Sequence, residues 1–265
     1  MAEARSGGVR LRYTVDGPAD GLPLLLSNSL GSTLEMWDPV LPAFSERFRV
    51  IRYDQRGHGG SDVAPGEYRL DSLGGDALAV LDAAGVGRAP VAGISLGGLT
   101  ALWLAIQAPE RIDRIVLANT GAQIGTAALW NERIAAVTTN GMGAIVDGLL
   151  GRWFTPAFRR DRPDVVATFR RMIEACPVSG YTGCCAAVRD ADLRAELGRV
   201  HAPTLVIVGT ADVATPPSLG ELLQAGIPGA MLVALEAAHL SNVERADEFA
   251  RAVTDFLDRS GADHG

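Results

Sequence analysis

The chain has 265 residues, 48% hydrophobic and 21% charged, which fits one large folded domain and excludes disorder as its main state. Its formal net charge of -7 argues against nucleic acid or an anionic membrane as the main partner. Residues 1–8 lack the basic-then-apolar run of a secretory signal, and no apolar stretch approaches the ~20 residues of a membrane span.

Val9, Leu11, Tyr13 and Val15 alternate with polar residues and predict a first strand at a sheet edge. Short apolar runs follow at Leu24–Leu26, Val50–Ile51, Pro90–Ala92 and Ile115–Leu117, and again at Leu205–Val208 and Leu232–Val233. Bounded by turn residues, such runs suit strands buried on both faces of a parallel sheet. Between them, Leu70, Leu73, Ala77, Val80, Leu81 and Ala84 recur at helical spacing. Residues 97–108 are apolar almost all round, as a helix packed on a sheet should be, and Pro109 stops them. Residues 243–257 place Val243, Ala246, Phe249, Ala250, Val253, Phe256 and Leu257 on one helical face. This alternation predicts a doubly wound, mostly parallel α/β fold. The strand pattern lapses between about Thr120 and Gly198, a stretch with Trp130, Trp153 and many arginines. Residues 121–198 are expected to form a helical lid inserted into a core of residues 1–120 and 199–265, with ordinary packing helices as the alternative. Cys176, Cys184 and Cys185 form neither a disulfide framework nor a metal-binding spacing, so a reduced, cytoplasmic protein is expected.

Gly93-Ile94-Ser95-Leu96-Gly97-Gly98 follows a predicted strand and opens a predicted helix. In that context G-x-S-x-G reads as a nucleophile elbow, a strained turn that exposes Ser95 at a helix N-terminus. A serine hydroxyl needs a base, and the chain has four histidines. His264 is in the tail, His201 precedes a strand, and His58 reads as a loop-bracing histidine. His239 lies on a loop at the carboxyl end of the last strand and follows Ser95, as the chain order serine, acid, histidine requires. The acid is expected at Asp212, after the strand at 205–208, because the equivalent place after the preceding strand holds the uncharged Asn119. Oxyanion donors are expected from the backbone N–H of Leu96 and of Leu30, in the loop Ser27-Asn28-Ser29-Leu30-Gly31. No metal-ligand spacing or phosphate-binding glycine loop is present, and no cofactor is expected.

The motif Asp54-Gln55-Arg56-Gly57-His58-Gly59, the elbow, and Ala108-Pro109-Glu110-Arg111 resemble the α/β-hydrolase superfamily at large. More specific are residues 26–31 with Met36-Trp37-Asp38, Leu117-Ala118-Asn119-Thr120, residues 152–156, residues 185–190 and Ala238-His239-Leu240-Ser241-Asn242-Val243-Glu244. Over nearly the full length these are similar to the 3-oxoadipate enol-lactonases of the β-ketoadipate pathway of aromatic degradation. One departure is Gln55, where that family more often carries histidine. The resemblance implies a small anionic lactone as substrate, opened through an acyl-enzyme on Ser95. Its free carboxylate calls for a cation, and Arg133, Arg152 and Arg189 are the candidates. Asn28, Trp130 and Trp153 join Arg133 and Arg189 as expected substrate-binding residues. Other esterases and lactonases, a C–C hydrolase or perhydrolase, and a non-catalytic ligand-binding protein stay open as alternatives, as does the choice between monomer and homodimer.

Overall fold

A computed structural model describes residues 2–258. Its strands are β1 (Ala2–Ser6), β2 (Val9–Asp16), β3 (Leu22–Ser27), β4 (Phe48–Tyr53), β5 (Ala89–Ile94), β6 (Ile112–Ala118), β7 (Thr204–Gly209) and β8 (Met231–Leu235). They form one sheet in the order β1-β2-β4-β3-β5-β6-β7-β8. β1 and β2 are antiparallel, β2 is antiparallel to β4, and every later pairing is parallel. β5 and β7 are buried along their whole length, as continuous apolar runs require.

Both sheet edges differ from the sequence expectation. The edge strand is β1 and not β2: Ala2–Ser6 has no β-branched or aromatic residue to announce a strand. It pairs because Gly7 and Gly8, both at positive φ, fold it back through a two-residue turn. At the other edge β8 is half-exposed, since only one side of it has a neighbouring strand.

The helices are α1 (Leu41–Ser45), α2 (Leu70–Ala83), α3 (Leu96–Gln107), α4 (Ala127–Asn140), α5 (Val146–Trp153), α6 (Pro156–Asp161), α7 (Pro163–Glu174), α8 (Val178–Asp190), α9 (Pro217–Gly226), α10 (Ser241–Glu244) and α11 (Ala246–Asp258). The apolar face read over 243–257 is therefore shared by two helices, broken at Arg245 with φ -131° and ψ 54°. α3 packs on β5 and β6, and α1 packs on β4 and on α11. Helices α4 to α8 fill the span between β6 and β7, with no strand among its described residues. α8 is pressed onto the loop after β4: a Cβ on Gly180 would lie 2.0 Å from the Gly57 carbonyl oxygen. The Tyr68 N–H also donates to the Gly183 carbonyl at 3.0 Å.

The order of the central strands locates a cleft. The chain runs from β3 to β4 on one side and returns to β5 on the other, so β3 and β5 flank a switch point. Crevices for ligands open outside the carboxyl ends of the strands at such points.

Candidate active site

Ser95 joins β5 to α3 with φ 58° and ψ -116°, a strained conformation for a residue with a side chain. Its surroundings over-determine that geometry. The Ser95 N–H donates to the Ala118 carbonyl at 3.1 Å, and the Thr120 hydroxyl donates to the Ser95 carbonyl at 2.7 Å. A Cβ on Gly93 would fall 2.1 Å from the Gly97 carbonyl oxygen, and one on Gly97 would fall 2.0 Å from that of Ser27. Glycine at both positions lets β3, the turn and α3 close together. Ser95 then stands at the N-terminus of α3, where the Leu96 N–H lacks an intrahelical acceptor.

His239 follows β8, and its Nδ1–H donates to Asp212 Oδ2 at 2.9 Å. An acceptor at Nδ1 keeps the Nε2 lone pair free for a proton transfer. Asp212 follows β7 and is 3% exposed. Oδ2 also accepts from Asn119 Nδ2 at 3.0 Å and from the Thr215 hydroxyl at 2.7 Å. Oδ1 accepts the Ala214 and Thr215 amides at 2.8 and 2.9 Å. Burial by itself would raise the Asp212 carboxyl, but the adjacent imidazole and the hydrogen bonds from His239 and Thr215 outweigh it and hold the group at about 2. Asn119, at the end of β6 with φ 45°, carries three bonds at once. Its Nδ2 also reaches the Ala238 carbonyl at 3.2 Å, and its Oδ1 accepts from the Ser241 hydroxyl at 2.5 Å. Asn119 and Thr215 thus brace both Asp212 and the loop that carries His239. In the sequence Asn119 stands out for its lack of charge and as part of the distinctive segment at 117–120, but not as a brace for Asp212, and Thr215 does not stand out at all. A Thr three residues after an Asp was the available signal for the second.

Ser95 and His239 line one cavity of about 740 Å³, counted to its open mouth. Ser29, Leu30 and Thr215 line it too, and the Thr215 hydroxyl lies 3.2 Å from His239 Nδ1. Trp130, Arg133, Arg152, Trp153 and Tyr181, all from the span between β6 and β7, also line it. The Arg133 guanidinium lies 4.7 Å from the centre of the Trp130 ring. Trp130 is fixed in turn by its indole N–H on the Ile124 carbonyl at 2.6 Å, and Trp153 packs edge-on against Phe169. Neither Arg133 nor Arg152 has a carboxylate partner among the described residues. Burial, and the positive charge of Arg133 nearby, lower the pKa of Arg152. The buried Tyr181 hydroxyl makes no hydrogen bond of normal geometry among the described residues, although the Arg133 guanidinium lies near it. No feature of the sequence pointed to Tyr181.

Two expected substrate contacts are corrected. Asn28 is fully buried and lies outside the cavity wall: its Nδ2 donates to the Tyr53 carbonyl at 2.7 Å, and its Oδ1 accepts the Trp37 indole N–H at 2.8 Å. It shapes the loop after β3, and both of its side-chain polar atoms are engaged within the protein. Arg189 also lies outside, paired with Glu67 at 2.8 Å and Asp190 at 2.7 Å, two carboxylates that neutralise it. Of the other histidines, His201 is exposed ahead of β7, at the amino end of the sheet, and His264 lies outside the described residues. His58 is buried beneath the loop after β3, with Nδ1 3.2 Å from the Arg56 carbonyl and Nε2 accepting the Gly31 N–H at 3.0 Å. Burial pushes it down to about 4, so it is neutral near pH 7. Among the described residues no cluster of three His, Cys, Asp or Glu side chains could hold a metal ion, and no helix is long and apolar enough to cross a membrane.

Fold and site together define a hydrolase of the α/β type, and the family model for the α/β hydrolase fold matches residues 23–246. The chain belongs to that family. Within it the chain stands with the 3-oxoadipate enol-lactonases. It is 41% identical to 3-oxoadipate enol-lactonase 2 of Acinetobacter baylyi, over 95% of this chain and 94% of that protein. The crystal structure of the enol-lactonase from Burkholderia xenovorans LB400 superposes with a TM-score of 0.95 at 42% identity, covering 97% of this chain and all of that one. A hydrolase from Pseudomonas aeruginosa PA01 superposes with a TM-score of 0.94 at 52% identity, over 97% of each chain.

Proposed function

We propose that this protein hydrolyses 3-oxoadipate enol-lactone to 3-oxoadipate, with Ser95 as nucleophile, His239 as general base and acid, and Asp212 as the group that orients His239. The observation that carries the substrate class is the pair of arginines, without carboxylate partners among the described residues, in the cavity shared by Ser95 and His239. Two such cations in a chain of net charge -7 call for an anion, and the substrate's carboxymethyl arm supplies one. The likeness to enol-lactonases over nearly the whole chain supports the same substrate.

Ser95 Oγ adds to the lactone carbonyl carbon as its proton passes to His239 Nε2. Negative charge develops on the carbonyl oxygen between the Leu30 and Leu96 amides. Collapse breaks the ring C–O bond, and the enol oxygen takes the proton from His239. The leaving group remains tethered to the acyl-enzyme, so ring closure competes with hydrolysis until the enol becomes a ketone. Water then adds to the ester carbonyl, giving its proton to His239, which returns it to Ser95 as the acid departs. Helices α4 to α8 act in this reading as a lid over the substrate.

The deciding experiment follows the loss of ultraviolet absorbance of freshly generated enol-lactone. Expected is rapid turnover by the wild type and a loss of roughly 10⁴-fold or more in Ser95→Ala. Folded wild-type protein that leaves the lactone intact, or that treats neutral aryl esters equally well by kcat/KM, would overturn the substrate assignment.

A further inference from the structure

The backbone amides of the loop after β3 are committed one by one. The Ser29 N–H points to Met36 Sδ at 3.3 Å, the Gly31 N–H donates to His58 Nε2 at 3.0 Å, and the Ser32 N–H donates to the Ser29 carbonyl at 3.2 Å. Of the four amides from Ser29 to Ser32, only that of Leu30 has no acceptor among the described residues, and Leu30 lines the cavity with Ser95. The loop is held from beneath by two residues of the turn after β4. Gln55 Nε2 donates to the Asn28 carbonyl at 2.9 Å, and His58 takes the Gly31 amide.

We propose that His58 is a positioning residue of the oxyanion hole: by binding the Gly31 N–H it turns that amide away from the cavity and fixes the Leu30 N–H as the loop's single donor to the reacting carbonyl oxygen. The proposal rests on the mechanism given above, in which Leu30 and Leu96 hold the oxyanion. Three features make His58 suited to the task. Its Nδ1 faces the Arg56 carbonyl, so the proton resides there and Nε2 presents a lone pair. It is buried, so water does not compete for the Gly31 amide. The loop has no room to yield: Gly31 has φ 84°, and a Cβ there would meet the Tyr181 ring at 3.1 Å. The ionisable groups across the adjoining cleft are Glu35, already paired with Arg12, and Arg171 and Cys176. Asp54, on the same turn as His58, is held by the Leu34 and Gly60 amides and by Arg12. None of these takes the His58 lone pair.

The test compares wild type, His58→Leu and His58→Gln on the enol-lactone and on p-nitrophenyl acetate, with thermal unfolding of each. A trifluoromethyl ketone, which adds to the nucleophile and places an alkoxide in the hole, serves as the probe of that site. In His58→Leu, kcat should fall roughly tenfold to a hundredfold on both substrates with KM within about twofold, and the ketone should bind more weakly by a similar factor. His58→Gln places an amide oxygen near the Nε2 position and should recover most of the loss. An unchanged kcat in His58→Leu would overturn the proposal, as would a loss confined to KM, or a glutamine variant as impaired as the leucine variant at equal Tm. Should the wild type cleave the aryl ester and leave the lactone, the substrate assignment falls, and the ester kinetics decide the role of His58 by the same criteria.

Discussion

The Asp212 carboxylate accepts five hydrogen bonds, from His239, Asn119, the hydroxyl and amide of Thr215, and the Ala214 amide. Such a group stays ionised while it steadies an imidazolium, which is what the proposed mechanism asks of it. Asp212→Asn keeps the shape but favours the wrong imidazole tautomer, so kcat should fall by roughly 10⁴-fold with the fold intact by circular dichroism. Arg133 and Arg152 belong to the same scale. Each charge-assisted hydrogen bond to a substrate carboxylate contributes about 1.5–3 kcal/mol, or roughly tenfold to a hundredfold. Arg133→Ala and Arg152→Ala should therefore raise KM for the anionic lactone by that order and leave p-nitrophenyl acetate hydrolysis nearly unchanged. Equal effects on both substrates would mean that the pair supports the cavity wall without gripping an anion.

Two of the distinctive sequence segments, around Trp153 and around His239, turn out to be one mechanical unit. The Glu244 carboxylate, on α10, accepts the Ala238 amide at 2.8 Å and the Thr155 amide at 3.1 Å, and it also bonds the Thr155 hydroxyl. The Leu240 N–H donates to the Trp153 carbonyl at 3.1 Å. The loop that carries His239 is thereby stitched to the start of α6 and the end of α5. Glu244→Ala should loosen both sides together, lowering kcat and raising KM. Loss of these bonds should cost about 2–4 kcal/mol, which for a chain of this size lowers Tm by roughly 4–16 °C, readable by calorimetry. A Tm drop with unaltered kinetics would separate the stitch from the chemistry. The segment spacing in the sequence concealed this coupling because Thr155 and Glu244 lie 89 residues apart.

At the scale of the whole molecule, all 24 cationic side chains are arginine in a chain of net charge -7. An anionic substrate of the proposed kind would meet an unfavourable global field, which the proposed role of the local pair in the cavity would offset. Acid stability should reflect His58. Its pKa lies at about 4 in the fold against 6.5 ordinarily, so between those values the unfolded chain binds more protons. The His58 contribution is fully present above pH 6.5 and is lost as pH falls, by about 3 kcal/mol at pH 4. Urea midpoints taken at about pH 7, 5.5 and 4 should show this slope in the wild type and a shallower one in His58→Gln.

How much was legible in the amino-acid sequence follows the range of the interactions involved. The elbow around Ser95 is a constraint among six adjacent residues, and strand and helix periods are local as well, so the elbow turn, the parallel core and the strand-end positions of Ser95, Asp212 and His239 could be read directly. The hairpin strand β1 escaped because its composition is not strand-like and only pairing makes it one. Tertiary structure alone decided that Arg189 is neutralised at the surface while Arg133 and Arg152 share a cavity wall, for all three are equivalent as letters. It also decided that Asn28 is a buried brace, that Asn119 reaches 93 residues ahead to Asp212, and that His58 closes on Gly31. Those roles depend on which carboxylates, carbonyls and amides the folded chain leaves without partners, and that accounting exists only once the whole chain has packed.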